Sequence, residues 1–167
     1  MPEAANPQTL LAEAAKLVAT TRRGSLATRL ARQDQPGVEA GFPYVSLVLL
    51  APDESGRPFL LLSDLSEHAQ NLRANPDLAL LLDQTADKAE PLAHPRLTLL
   101  GRAEAVADAE AARAMKQRFV AAQPSAKVWA GFADFRPYRL DWTAAHFVAG
   151  FGRIAWLPPA DLAAALP

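Results

Sequence analysis

The sequence predicts an α+β fold built on a mostly antiparallel β-barrel with flanking helices. Strand-like apolar runs recur at short intervals along the 167 residues, and turn signals rich in Pro, Gly and Asp separate several of them. Amphipathic helical segments lie before and between these runs, which is typical of this fold class. We expect one domain spanning residues 1–167, because this length suits a single buried core.

Composition excludes several classes of function. Apolar residues make up 50% of the chain, charged residues 21%, and the formal net charge is −1. With no basic tract, we expect no nucleic-acid partner and no membrane partner. The absence of cysteine excludes thiolate catalysis and iron–sulfur clusters and fits a reducing compartment. No secretory signal and no bilayer-length apolar stretch is recognisable, so the predicted location is cytoplasmic.

The first element is predicted to be a helix over residues 7–22. Asn6 can cap it and Pro7 suits its first position. Arg22, Arg23 and Gly24 supply a cationic last turn and a stop. One apolar stripe runs along it, formed by Leu10, Leu11, Ala14, Leu17 and Val18.

Six strands are predicted after this helix: Ser25–Leu30, Tyr44–Ala51, Pro58–Ser63, Leu78–Asp83, Arg96–Ala105 and Tyr138–Val148. Turns are expected at Gln35–Gly37 and Pro52–Gly56, and a loop at Gln84–Pro95. The second and third strands, joined by the Asp53–Gly56 turn, form a predicted hairpin. Because their apolar content is nearly continuous, we expect both faces of these two strands to be covered, by helices or by a partner outside the barrel.

Two further helices are predicted between the strands. Leu65, Ala69 and Leu72 have helical spacing, and Asn75-Pro76 ends that segment. The other helix runs from about Asp108 to Ala122, with acidic residues early and basic residues late, as the helix dipole favours.

The segment from Ser63 to His68 is the strongest candidate for binding an anion. It lies where a strand passes into a helix, and backbone N–H groups at such a junction point outward and bind phosphate. Ser63, Ser66 and His68 could add donors. The same residues also fit a plain helix start in which Asp64 and Glu67 form a capping box.

Other candidates lie on strands and in a turn. Backbone atoms around Ser46, Leu47 and Val48 could bond the edge of a flat ring, although these residues also fit an ordinary core strand. Arg96 opens an apolar strand and could meet a phosphate or carboxylate, or lie in solvent. Arg153 follows a glycine-flanked turn that could approach a ligand or simply bend the chain.

Metal and catalytic motifs are not recognisable. The three histidines are scattered without the spacing of metal ligands, so no protein metal site is expected. No residue is identified as a nucleophile or a general base, and the catalytic residues stay unknown.

Taken together, the chain resembles the pyridoxamine 5′-phosphate oxidase-like FMN-binding split-barrel superfamily, and within it the haem-utilisation-related branch. The resemblance covers roughly residues 24–157. It rests on five segments in order, which are Gly24–Thr28, Pro43–Val48, Leu62–Pro76, Pro95–Gly101 and Gly150–Arg153.

The resemblance implies a six-stranded antiparallel Greek-key split β-barrel that forms a homodimer and binds FMN between its subunits. The residues that match the flavin-binding positions of the oxidases are Ser46, Leu47, Val48, Leu62, Ser63, Ser66, His68 and Arg96. Arg153 is a further candidate for the phosphate. A flavin-dependent oxidoreductase is the activity that the resemblance favours.

The chain departs from the oxidases at positions that carry charge. The oxidases have arginine where this chain has Ser46, and an Arg-Lys pair where it has Glu67 and His68. A carboxylate facing a phosphate dianion is unfavourable. Two alternatives therefore remain open: a haem-binding protein, in which His68 or His146 contacts the haem, and a cofactor-free structural or regulatory dimer.

Overall fold

The computed structural model describes residues 6–32, 36–86 and 88–167. The helices are α1 (Pro7–Thr20), α2 (Glu67–Ala74), α3 (Ala109–Ala122) and α4 (Pro159–Ala164), and short 3₁₀ segments cover Pro91–Ala93 and Pro124–Val128. The strands are β1 (Arg23–Arg29), β2 (Pro43–Pro52), β3 (Pro58–Ser63), β4 (Asp77–Asp83), β5 (Arg96–Ala105), β6 (Phe135–Gly150) and β7 (Arg153–Leu157).

The strands form a closed antiparallel barrel of six, with β7 added outside. Neighbours follow the order β3-β2-β1-β4-β5-β6-β7, and pairing of β3 with β6 closes the ring. Each strand pairs antiparallel with its neighbours. The predicted α+β class and the six-stranded antiparallel split barrel are confirmed.

Two apolar clusters hold the fold together. The larger fills the barrel and the space beneath α1, which contributes Leu10, Ala14 and Leu17. The smaller lies outside β2 and β3, where α3 packs Met115 and Phe119 against the wall. Burying such side chains stabilises the fold by about 1.5–3 kcal/mol each.

The predicted hairpin is confirmed. β2 pairs with β3 from Leu50 opposite Leu60 to Pro52 opposite Pro58. The Asp53 carboxylate accepts hydrogen bonds from the backbone N–H groups of Ser55 and Arg57. An aspartate that bonds its own turn in this way favours a tight reversal.

The prediction that helices or a partner cover both faces of the hairpin is confirmed within one chain for β3 and stays a prediction for the first half of β2. β3 is buried from Pro58 to Leu62, because α3 covers its outer face. Val45 and Leu47 in the first half of β2 are 62% and 70% exposed. No described helix covers them, since α3 packs only against the end of β2 nearest the turn.

Several boundaries differ from the predicted ones. α1 ends at Thr20, so Arg23 and Gly24 belong to β1 and not to the helix. β6 begins three residues before Tyr138, because its first residues, Pro137 included, pair with β3. In the predicted Gln35–Gly37 turn, Gln35 lies outside the described residues, and Gly37 has φ +78°.

β7 and α4 were missed by the sequence reasoning. The glycine-flanked turn around Phe151 joins β6 to β7, with positive φ at Gly150 and Gly152. β7 has only five residues, and its alternation of exposed and buried side chains is too short to stand out in the sequence.

Candidate cofactor site

The junction of β3 and α2 lies beside the first half of β2. α2 begins at Glu67, and Ser66 is its N-cap, accepting from the Ala69 N–H at 3.4 Å. The alternative in which Asp64 and Glu67 form the capping box is wrong. Ser66 takes the cap because its hydroxyl is three residues before Ala69, the spacing that an N-cap requires.

α2 is fastened to β1 through a fully buried asparagine. Asn71 accepts a hydrogen bond from the Ala31 N–H at 2.9 Å and donates to the Thr28 hydroxyl at 3.0 Å. Ala69 and Leu72 pack into the barrel core on the same helix. These contacts fix the position of α2, and with it the direction of the residues in its first turn.

His68 and Ser46 are brought together by this packing. The Ser46 Oγ lies 3.0 Å from His68 Nδ1. Burial lowers the pKa of His68 from its ordinary value of 6.5, because a half-buried imidazole loses hydration of its charged form. His68 is therefore neutral at physiological pH. Within the described part of the chain, no hydrogen bond is formed by its Nε2.

The carboxylates at this junction are already paired with cations. Asp64 accepts from Arg73 at 2.9 Å and from Arg136 at 2.8 Å. Glu67 pairs with Arg32 at 2.5 Å. A phosphate dianion placed here would therefore meet cations that are already shared with carboxylates.

The two candidate serines donate their hydroxyl protons within the protein. Ser63 Oγ donates to Asp134 at 2.5 Å, and Ser66 Oγ donates to the Ser63 carbonyl at 2.6 Å. Their proposed roles as cofactor-binding residues stay predictions. What the geometry adds is that a ligand would have to replace these bonds before either serine could donate to it.

Of the apolar candidates, only Leu47 faces solvent. Leu47 is 70% exposed, whereas Val48 and Leu62 are 4% exposed and lie in the barrel core. A ligand at β2 could contact the side chain of Leu47. It could reach Val48 and Leu62 only through their backbone atoms.

Arg96 and Arg153 lie away from the junction within one chain. Arg96 is on β5, which is three places from β2 in the ring and so on the opposite wall. Its guanidinium donates to the carbonyls of Leu92 and His94. Arg153 on β7 pairs with Glu13 of α1 at 2.5 Å. The structure thus brings together Ser46, Ser63, Ser66 and His68, and leaves these two arginines elsewhere.

Large apolar side chains are exposed at two places on the outside of the barrel, on β2 and on β7. Cross-strand partners form one row of outward-facing residues, which are Leu47, Ser25, Leu81, Thr98, His146 and Trp156. Trp156 is 64% exposed, and its ring stacks on His146 with centroids 4.6 Å apart. The alternating exposure of β2 depends on its pairing register, which the nearly continuous apolar sequence does not show.

No metal cluster or membrane-spanning helix is present in the described ranges. No group of three or more His, Asp or Glu side chains there could hold a metal ion. None of the helices is both long and apolar enough to cross a bilayer.

Comparison with known proteins relates the chain to haem proteins and to a flavin-type fold. The chain is 34% identical over 110 residues to the non-canonical haem oxygenase HOZ of Arabidopsis thaliana, covering 66% of this chain and 33% of that protein. It thus spans about a third of the length of this curated relative. A haem-binding protein from Mycobacterium smegmatis superposes with a TM-score of 0.79 at 29% identity, over 93% of this chain and 60% of that one.

A third similarity supports the fold alone. A protein of Clostridium acetobutylicum related to general stress protein 26, of the pyridoxinephosphate oxidase family, has a TM-score of 0.64 at 14% identity, over 95% of this chain and 99% of that one. The family model described as "CREG, beta-barrel" matches residues 6–163. The resemblance to the split-barrel superfamily and its haem-related branch is confirmed, and this chain belongs to the CREG β-barrel family of pyridoxamine 5′-phosphate oxidase-like split barrels.

Proposed function

We propose that this protein binds haem, with His68 as the ligand to the iron. The observation that carries the proposal is the contact of His68 Nδ1 with the Ser46 hydroxyl at 3.0 Å, which leaves Nε2 without a hydrogen bond among the described residues. Burial also lowers the pKa of His68, which favours its neutral form. A neutral imidazole is the form that ligates haem iron. Histidines that bind metals usually hold their other ring nitrogen in a hydrogen bond, which fixes the ring orientation and the tautomer. With haem bound, Nδ1–H would donate to Ser46 and Nε2 would be the ligand.

Exposed apolar side chains lie on the elements that carry Ser46 and His68. Leu65, in the turn before α2, is 79% exposed, and Val45 and Leu47 of β2 are 62% and 70% exposed. Val45 and Leu47 lie on the outer face of β2, because successive side chains of a strand point to opposite faces and Ser46 lies between them. A porphyrin that covers Leu65 would remove apolar surface from water, which is favourable.

The cations at the junction suit the haem propionates better than an FMN phosphate. Arg73 and Arg136 are both about half exposed and share one carboxylate, Asp64. A singly charged propionate can bond one of these guanidiniums while Asp64 keeps the other. A phosphate dianion would face Asp64, Glu67 and Asp134 together, and the cost of like charges in one place is high.

The relatives point the same way. Two proteins similar to this chain are named for haem: the plant protein is a haem oxygenase, and the mycobacterial protein is a haem-binding protein. When bound, haem would supply iron redox chemistry or be carried as cargo. The chain's own residues would ligate, orient and partly cover it.

A haem titration with three matched variants tests the proposal. Ferric haem added to the purified protein is expected to give a saturable Soret band that His68→Gln does not give. Ser46→Ala is expected to bind about 10–100-fold more weakly, because the orienting bond is lost. His146→Gln is the control, since His146 stacks on Trp156 of β7 and not at α2. Loss of the band in His146→Gln with retention in His68→Gln would contradict the assignment.

The second candidate is an FMN-binding flavoprotein, a flavin-dependent oxidoreductase of the same superfamily. Its support is the split-barrel fold and the N-terminus of α2, whose dipole favours an anion. Quenching of FMN fluorescence by the purified protein, abolished by Ser66→Asp, would support this candidate. A protein that binds neither FMN nor haem would instead be the cofactor-free dimer.

We also propose that two copies of the chain pair through the outside of the barrel, where Leu47 and Trp156 are 70% and 64% exposed. Large apolar side chains exposed in this way are typical of an interaction surface. A second copy is also the way in which Arg96 and Arg153, which one chain holds on the far side of the barrel, could approach the β2–α2 junction. Sedimentation analysis should give a dimer for the native chain and a monomer for Leu47→Lys. A native monomer would exclude the pairing.

A further inference from the structure

The outer face of α3 forms one side of a groove that the haem proposal does not use. α3 turns Met115 and Phe119 toward the barrel wall. Its other face carries Arg113, Lys116 and Val120 at helical spacing, and Lys127, Ala130 and Gly131 lie across from it, after the end of the helix. The groove between the two segments has a volume of about 450 Å³, which lies within the range of small-molecule sites.

The lining of this groove is apolar at its floor and positively charged at its edge. Its residues are Arg113, Lys116, Gln117, Val120, Lys127, Ala130 and Gly131, three cations with no acidic residue. Ala130 is 2% exposed and belongs to the smaller apolar cluster, against which Val120 also packs. The floor is thus the outer surface of a packed core, which gives the groove a fixed shape.

Two of the three cations are available to a ligand. Lys116 Nζ donates to the Phe132 carbonyl at 3.1 Å, and this bond ties α3 to the segment across the groove. Arg113 and Lys127 are exposed, and within the described residues neither forms an ion pair. Among the described residues, six other arginines are paired with a carboxylate, for example Arg118 with Glu54.

We propose that this groove binds a single-chain anionic amphiphile, a long-chain carboxylate of the fatty-acid class. The apolar floor would hold the alkyl chain, and burial of each methylene contributes about 0.8 kcal/mol. Arg113 and Lys127 would hold the carboxylate, with Arg113 able to form two parallel hydrogen bonds. A ligand with one apolar chain and one anionic head group matches this combination of an apolar floor and two cations at the edge.

The chain contains a second groove that serves as an internal comparison. It lies between α1 and the C-terminal residues, has the same volume of about 450 Å³, and is equally apolar, but its only cation is Lys16. If apolar area alone decided binding, an amphiphile would enter both grooves. If the cations decide, it will enter only the groove beside α3.

Gly131 offers a way to close the groove without disturbing the fold. A Cβ added at Gly131 meets no atom within 4 Å, and its φ is not positive. Gly131→Leu should therefore fold normally and fill the groove. Ala12→Leu is the matched change in the comparison groove, and Lys127→Glu removes one cation and adds a repulsion.

Calorimetric titration of the purified full-length chain with dodecanoate, below its micelle concentration, tests the proposal. One saturable site is expected, with dodecanol at least about tenfold weaker because it lacks the charge. Gly131→Leu and Lys127→Glu should each weaken the binding of dodecanoate by a similar factor, while Ala12→Leu should leave it unchanged. Thermal unfolding followed by circular dichroism checks that each variant is folded.

Four results would overturn the proposal. They are equal binding of dodecanoate and dodecanol, unchanged binding in a folded Gly131→Leu, loss of binding in Ala12→Leu, and binding to anionic vesicles or an acidic peptide with none to dodecanoate. The haem titration of Gly131→Leu should match that of the native chain, because His68 lies on α2 and the groove on α3. This separates the amphiphile site from the haem site.

Discussion

Replacing Asn71 by alanine tests whether the fastening of α2 to β1 positions the haem site. Asn71 is fully buried and forms two hydrogen bonds, one from the Ala31 N–H and one to the Thr28 hydroxyl. Its loss leaves the hydroxyl of Thr28, a residue that is only 4% exposed, without its partner, and a buried unsatisfied group costs about 1–3 kcal/mol. With the small cavity left by the side chain, the expected loss in the free energy of unfolding is about 2–4 kcal/mol.

Urea unfolding followed by circular dichroism measures this loss. For a chain of this length, about 2–4 kcal/mol corresponds to a fall in Tm of roughly 5–15 °C. Thr28→Val is the matched control, since it removes only the hydroxyl that Asn71 donates to. The double variant Asn71→Ala with Thr28→Val should lose less than the two single losses added together, because the two groups removed are partners in one hydrogen bond.

The same variant connects the fold to the site. Because α2 carries both Asn71 and His68, loosening the helix should weaken haem binding even though Asn71 does not touch the ligand. A folded Asn71→Ala with native stability, or with native haem affinity despite the loss of stability, would refute the reasoning.

Three further changes follow from single contacts. Gly101→Ala should prevent folding or lower the free energy of unfolding by more than about 3 kcal/mol, because its Cβ would lie 2.0 Å from the Asp141 carbonyl oxygen. The control variant Gly131→Ala should leave Tm unchanged. Gln123→Ala should lower the free energy of unfolding in urea by about 1–3 kcal/mol, since the Gln123 amide donates to two backbone carbonyls, one just before β1 and one in β2. Gln123→Glu should lower it further. Because burial lowers the pKa of His68 below 6.5, the unfolded chain takes up a proton on acidification that the folded chain does not. The free energy of unfolding should therefore fall as pH drops through 6.5, and His68→Gln should have a shallower pH dependence.

The local elements could be predicted because their signals are local. The boundaries of β3 and β5 agree with those read from the sequence, and α3 ends at Ala122 as predicted. Apolar runs, caps and turn residues act within a few positions, so one segment is enough to recognise them. β7 was not predicted because it is short and because its pairing depends on β6.

The arrangement at the site could be predicted only in part. That β3 leads into α2 near β2 followed from the resemblance, but the contact between Ser46 and His68 depends on the register of β2 and the docking of α2. The two arginines around Asp64 come from α2 and β6, nine and 72 residues further along the chain. Pairings at such separations are set by the closed barrel and have no signature in a single sequence.

The central claim is that His68 ligates the haem iron. The most direct test is to remove the His68 side chain and to supply free imidazole in its place. His68→Gly should bind ferric haem without the Soret band of the native protein, and added imidazole should restore that band by replacing the missing side chain. His146→Gly, treated in the same way, should have the native band before imidazole is added. Restoration in His68→Gly is the result that the account predicts; a native band in His68→Gly without imidazole would contradict it.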